Sequence, residues 1–112
     1  MLGAIIGDIV GSKFEFQPIK SKNFLLFSEE SDYTDDSLMT IAVGIALKQA
    51  FADKKEKDAA FLRDQFIRTM QSVGRAYPYP TGAYGGSFSQ WLVTKNPEPY
   101  NSWGNGAAMR IS

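Results

Sequence analysis

Two adjacent carboxylates, Asp35 and Asp36, follow Thr34 at the head of an apolar run, in the stretch YTDDSLMTIAVGIAL. Residues of this type in this order admit two kinds of chemistry. One is a helix start, in which Thr34 takes the N-cap and the carboxylates sit in the first turn, facing the positive end of the helix dipole. The other is a site for a hard divalent cation with oxygen ligands. The surroundings strengthen the second. No basic residue stands between Lys22 and Lys48, while Glu29, Glu30, Asp32, Asp35 and Asp36 fall within eight positions. Carboxylates crowded beside a buried helix repel each other and lose hydration unless something cationic sits among them. Glu29, Glu30 and Asp32 are expected in a solvated loop, which leaves Asp35 and Asp36 as the ligand candidates.

Composition narrows the possibilities. The chain has neither cysteine nor histidine. Disulfides, thiolate nucleophiles, imidazole bases and zinc sites built from either ligand are therefore excluded. A bound metal would be magnesium, manganese or calcium. Twelve basic and twelve acidic residues cancel, so no basic surface argues for nucleic acid or an anionic membrane as partner. A hydrophobic content of 44% over 112 residues is that of one globular domain. The N-terminal MLGAIIGDIVGS lacks a basic leader, is broken by Asp8 and is too short to span a bilayer, which reads as a cytoplasmic protein.

Helical periodicity dominates the elements that must position these groups. Over residues 2–12, Gly3, Gly7 and Gly11 share one helix face, which predicts tight packing by another backbone. Asp8, Gly11, Ser12 and Glu15 share the neighbouring face, so both acids look the same way if the helix persists to residue 15. Residues 17–33 form a loop, with FLLF at 24–27 as a short strand or an apolar plug. A central helix over 35–52 has apolar residues all round and is expected to be buried on most sides. The segment DKKEKD ends it in solvent. A second helix spans 56–73 and stops at Gly74. After the loop YPYPTGAYGG, a capping box from Ser87 to Gln90 opens a short helix reaching Thr94. The last residues, AAMRIS, begin another helix.

The loops TGAYGGS and SWGNGAA join glycines, hydroxyl or amide side chains and helix N-termini. Their backbone N–H groups could cradle a diphosphate, and Tyr84 and Trp103 could stack on a planar base. Equally, the glycines can serve turns and the aromatics the core. Neither loop matches a dinucleotide fingerprint or a P-loop.

Taken in order, GAIIGDIVGSKFE, YTDDS, YGGSFSQWL and YNSWGNGAAMR resemble the N-terminal part of the ADP-ribosylglycohydrolase family, which includes the dinitrogenase-reductase-activating glycohydrolases. The resemblance implies an all-α fold, here a truncated helical bundle forming a single domain over residues 1–112. It also implies two Mg2+ or Mn2+ ions between helices, binding the ribose diol of ADP-ribose and orienting the water that cleaves its glycosidic bond to a protein side chain. Thr34, Asp35 and Asp36 match the N-terminal metal-binding triplet, with Ser37 where many members have a second threonine. Glu15 matches a glutamate near the metals that is proposed to act in catalysis. Ser102, Gly104, Asn105 and Gly106 match the loop that contacts ribose and diphosphate, and Gly85 and Gly86 would shape the same cleft. The family's second metal-binding segment, of Asp-x-Asp-Thr type, has no counterpart in the sequence. The expected protein therefore keeps half of the site and is inactive alone. It would be one half of a split hydrolase, or a non-catalytic relative that binds and inhibits a macromolecular partner, such as a phage-encoded counter-defence inhibitor. In either case a protein partner or a second copy would cover the truncated face.

Overall fold

The computed structural model describes residues 1–109 of the chain. Among them are five α-helices: α1 (Leu2–Gly11), α2 (Asp35–Ala52), α3 (Ala59–Ala76), α4 (Gly86–Val93) and α5 (Gly106–Met109). A 3-10 turn, Ser12–Phe14, prolongs α1. The all-α expectation holds. Extended pairing among the described residues amounts to one isolated parallel bridge, Thr34 with Thr81. Among them no helix is long and apolar enough to cross a membrane.

Helix α2 is the axis of the fold, and its most extensive partner is α3. Ala42, Ala46 and Ala50 are completely buried. Small residues at this spacing let a neighbouring helix approach closely. Leu38 and Met39, from the first turns of α2, join Tyr84, Phe88 and Leu92 in the core, with Met70, Val73 and Trp91 packed against them. Tyr84 and Phe88 meet edge to face, and Phe88 stacks on Trp91. Helix α3 begins three residues later than its periodicity suggests, because Asp58 is the cap: its carboxylate accepts the Phe61 N–H at 3.0 Å.

Several local expectations fail for identifiable reasons. Helix α2 is not buried on most sides: Ile41, Ile45 and Phe51 are 44%, 47% and 63% exposed. Gly74 does not stop α3. It lies inside the helix, where an added Cβ would meet Leu92 Cδ1 and Cδ2 at 2.6 Å, so its role is close contact with α4. The Ser87–Gln90 capping box does not form, since Gly85 is the N-cap of α4 and Ser87 is already helical. The 24–27 segment is neither strand nor plug, for Leu25, Leu26 and Phe27 are 75%, 60% and 59% exposed. No backbone packs on Gly3, Gly7 or Gly11, where an added Cβ would meet nothing within 4 Å. Of the C-terminal helix start, Arg110, Ile111 and Ser112 lie outside the described residues.

The particle is elongated. Its radius of gyration is 15.3 Å, against about 13 Å for a compact chain of this length. Its accessible surface is 8131 Å², against roughly 6,100 Å² for a folded monomer of this mass. Part of the excess is apolar, with Leu2 72% and Ile6 44% exposed on α1 beside the bared residues of α2.

Candidate functional site

The site is built where α1 meets the start of α2. Thr34 has extended backbone, φ −113° and ψ −171°, and its hydroxyl accepts the Asp36 N–H at 3.2 Å. That is the N-cap the sequence suggests, and it leaves the next N–H groups of the first turn needing acceptors. Asp8 supplies them from α1. Its Oδ2 accepts the backbone N–H of Thr34 at 2.9 Å and of Ser37 at 3.1 Å. Its two oxygens also accept the hydroxyls of Thr34 and Ser37, each at 2.5 Å. One carboxylate thus closes the N-terminus of α2 and fixes α1 against it. The arrangement suits an anion, which both the helix dipole and the four donors favour.

Between these elements opens a cleft of about 500 Å³. One wall is α1 and its 3-10 extension, contributing Ala4, Gly7, Asp8, Gly11, Ser12 and Glu15. The other is α2, contributing Thr34, Asp36 and Thr40, and Asn105 and Met109 close the top. The shared face inferred for Asp8, Gly11, Ser12 and Glu15 is therefore present, because the 3-10 turn carries the helical phase as far as Glu15. Gly7 and Gly11 find their use here as well. Bare of side chains, they form floor, and the void beside them is the cleft itself.

Of the residues singled out in the sequence, Glu15, Thr34, Asp36 and Asn105 line this one cleft, although 90 positions separate the first from the last. Asp35, Ser102, Gly104 and Gly106 are not among the described residues lining it. Consecutive helical residues point about 100° apart, so Asp35 and Asp36 leave α2 in different directions. Ser102 and Gly104 hold each other, the Gly104 N–H donating to Ser102 Oγ at 3.1 Å. Gly85 and Gly86 open α4 and do not line the cleft among the described residues. Tyr84 is a core residue, 8% exposed, whose hydroxyl donates to the Tyr77 carbonyl at 3.1 Å. Trp103, by contrast, is fully exposed.

Two features of the lining were missed in the sequence. Asp8 was placed on the face of Glu15 but not joined to α2, although hydroxyl residues at 34 and 37, one turn apart, are a fitting partner for a carboxylate. Thr40 is buried, 2% exposed, one turn below Asp36. Its position four residues on was the available signal. Asp32, expected to be merely solvated, ties loops together: its Oδ2 accepts Thr81 Oγ1 at 2.8 Å and its N–H donates to Ser12 Oγ at 3.0 Å.

The family model for ADP-ribosylglycohydrolase matches residues 1–112, the whole chain. The chain belongs to the ADP-ribosylglycohydrolase family. No curated protein and no solved structure gives a significant match to it. ADP-ribosylglycohydrolases are generally metal-dependent, which makes the donor set of the cleft the relevant question. Its chemistry suits a hard cation, since Asp8, Glu15, Thr34, Asp36 and Thr40 all offer oxygen. Its count does not. Among the described residues no three acidic side chains converge closely enough to hold a metal ion, and Asp8 already receives four donors. The cleft offers oxygen ligands from both walls, but among the described residues not a complete cation cage.

Proposed function

We propose that this cleft receives the ADP-ribose unit of an ADP-ribosylated protein, and that the chain works as the N-terminal part of a glycohydrolase site. The observation that carries the reading is the convergence of Glu15, Thr34, Asp36 and Asn105 on one cleft, from three separate stretches of sequence. Asn105 at the top would contact the ribose and diphosphate, along with Ser102, Gly104 and Gly106 of the same loop. Thr34, Asp35 and Asp36 would contribute oxygens to Mg2+ or Mn2+, completed by donors from a further segment or a second chain. When bound, the cation supplies Lewis-acid stabilisation of oxygen anions. Glu15 stands on the opposite wall as the carboxylate available to accept a proton from water at the anomeric carbon. Asp8 holds the two walls in register. Because the oxygen set is incomplete, hydrolysis would require complementation, and these residues alone would bind without turnover.

The uncovered apolar residues of α1 and α2 support a second reading, in which the family scaffold grips a protein partner without catalysis. Thermal shift separates the two. Under the first reading, ADP-ribose with Mg2+ or Mn2+ raises the melting temperature by mass action. A melting curve unmoved at millimolar ligand and metal would dismiss the first reading in favour of the second.

A further inference from the structure

The loop facing Glu15 places a glycine where a side chain would intrude on the carboxylate. The Ala83 N–H donates to the Pro80 carbonyl at 3.1 Å, closing a four-residue turn with Gly82 in third place. Gly82 has φ +84°, close to the value that position demands in a type II turn. A Cβ added to Gly82 would lie 2.6 Å from Glu15 Oε2 and 2.8 Å from Oε1. The Glu15 carboxylate therefore rests against the bare Cα of Gly82. The turn is pinned on the other side: Thr81 Oγ1 donates to Asp32 Oδ2, Asp32 N–H donates to Ser12 Oγ, and Thr81 bridges to Thr34. Ser12 opens the 3-10 turn that leads directly to Glu15. Asp32 thus acts as a spacer between the root of Glu15 and the glycine its tip touches.

We propose that Gly82 is a positioning residue for Glu15: its missing side chain forms the slot in which the carboxylate stands at the edge of the cleft. The proposal rests on the reading of Glu15 as a working group of that cleft. It goes further in assigning the placement of Glu15 to the 80–83 turn, which neither the acidic motif nor the asparagine loop contains. A carboxylate is the far end of a flexible side chain, so a Cβ at position 82 displaces Glu15 and leaves the fold in place. Gly82→Ala adds backbone strain at positive φ. Gly82→Asn carries the same Cβ but tolerates the left-handed region better, which separates displacement from strain.

The test follows the 13C signal of the Glu15 side-chain carboxyl in the unsubstituted chain, in Gly82→Ala, in Gly82→Asn and in Gly85→Ala. The last is the control, because a Cβ at Gly85 meets nothing within 4 Å. The Glu15 signal is expected to move in both Gly82 variants and to stay in place in Gly85→Ala. An unmoved signal in Gly82→Asn overturns the proposal. So does a Gly82→Asn chain that fails to fold, since the displacement belongs to a flexible side chain. ADP-ribose with Mg2+ then supplies a second readout. Its addition to the unsubstituted chain is expected to move the Glu15 carboxyl signal, and to move it less in Gly82→Asn, where the carboxylate stands outside its slot. A response undiminished in Gly82→Asn overturns positioning. A Glu15 signal unmoved by ADP-ribose with Mg2+ in the unsubstituted chain refutes the role of Glu15 in the cleft, while the comparison of the ligand-free chains still decides the contact.

Discussion

Replacing Asp8 by asparagine keeps the shape of the side chain and removes its charge, which isolates the electrostatic part of the α1–α2 joint. In the native chain Oδ2 takes three donors and Oδ1 one. An asparagine oxygen in the Oδ2 place keeps three bonds, now to a neutral acceptor. Its NH2 group would face Thr34 Oγ1, which already accepts from the Asp36 N–H. Hydrogen bonds to charged groups contribute about 1.5–3 kcal/mol and neutral ones about 0.5–1.5 kcal/mol. Three weakened bonds and one lost bond would sum to about 4.5–7.5 kcal/mol. Asp8 is only half-buried, and water re-solvates most of the joint, so about 2 kcal/mol is expected. At roughly 4 °C per kcal/mol for a chain of this size, the melting temperature falls by about 8 °C. The assay is thermal denaturation followed by helical circular dichroism, paired with Ser37→Ala in a double-mutant cycle. A coupling of about 1 kcal/mol or more between the two positions is expected. A fall below about 2 °C, or strict additivity with Ser37→Ala, would refute the claim that Asp8 closes α2.

Other expectations concern packing and backbone. Gly74→Ala gains about 1 kcal/mol of helix propensity but overpacks the contact with Leu92 at a cost of about 1–3 kcal/mol. A net loss near 1 kcal/mol in urea unfolding is expected, relieved when Leu92 is shortened to valine. A stabilised Gly74→Ala chain would show that α3 and α4 are not in that contact. Lys54 has φ +55° just beyond the end of α2, so Lys54→Gly should raise stability by about 0.5–1 kcal/mol. An unchanged or lower urea midpoint would count against that geometry. Tyr84→Phe removes the bond to the Tyr77 carbonyl and is expected to cost about 1 kcal/mol by the same measurement. No change would mean that water replaces the bond.

How much of this was legible in the sequence depends on the range of the interaction. Helix α2 was readable to the residue, because Thr34, Asp35 and Asp36 cap it locally and the apolar run that follows needs no outside information. Glu15 and Asp8 were placed on one face by spacing alone, and the 3-10 turn preserved that phase. What the sequence did not disclose is settled between distant segments. Asp8 joins Thr34 and Ser37 across 26 and 29 positions, and no local pattern announces an acceptor supplied by another helix. Gly74 looked like a stop because glycine at a helix end is common, yet Leu92, 18 positions on, gives it a different purpose. The Ser87–Gln90 pattern was a true capping signature in the wrong register, overridden by Gly85. Gly3, Gly7 and Gly11 were correctly placed on one face, but sequence cannot tell a face that is packed from a face left open as a cleft.

The central claim is that the α1–α2 cleft is an ADP-ribose site that uses the carboxylate of Asp36. Isothermal titration of the chain with ADP-ribose, in the presence of Mg2+ and separately of Mn2+, tests it most directly, with Asp36→Asn as the matched variant. Saturable heat that requires the metal and disappears in a folded Asp36→Asn chain is the predicted result. Absence of heat at millimolar ADP-ribose with either metal, or identical binding by Asp36→Asn, would contradict the account and leave Asp36 as part of a helix cap alone.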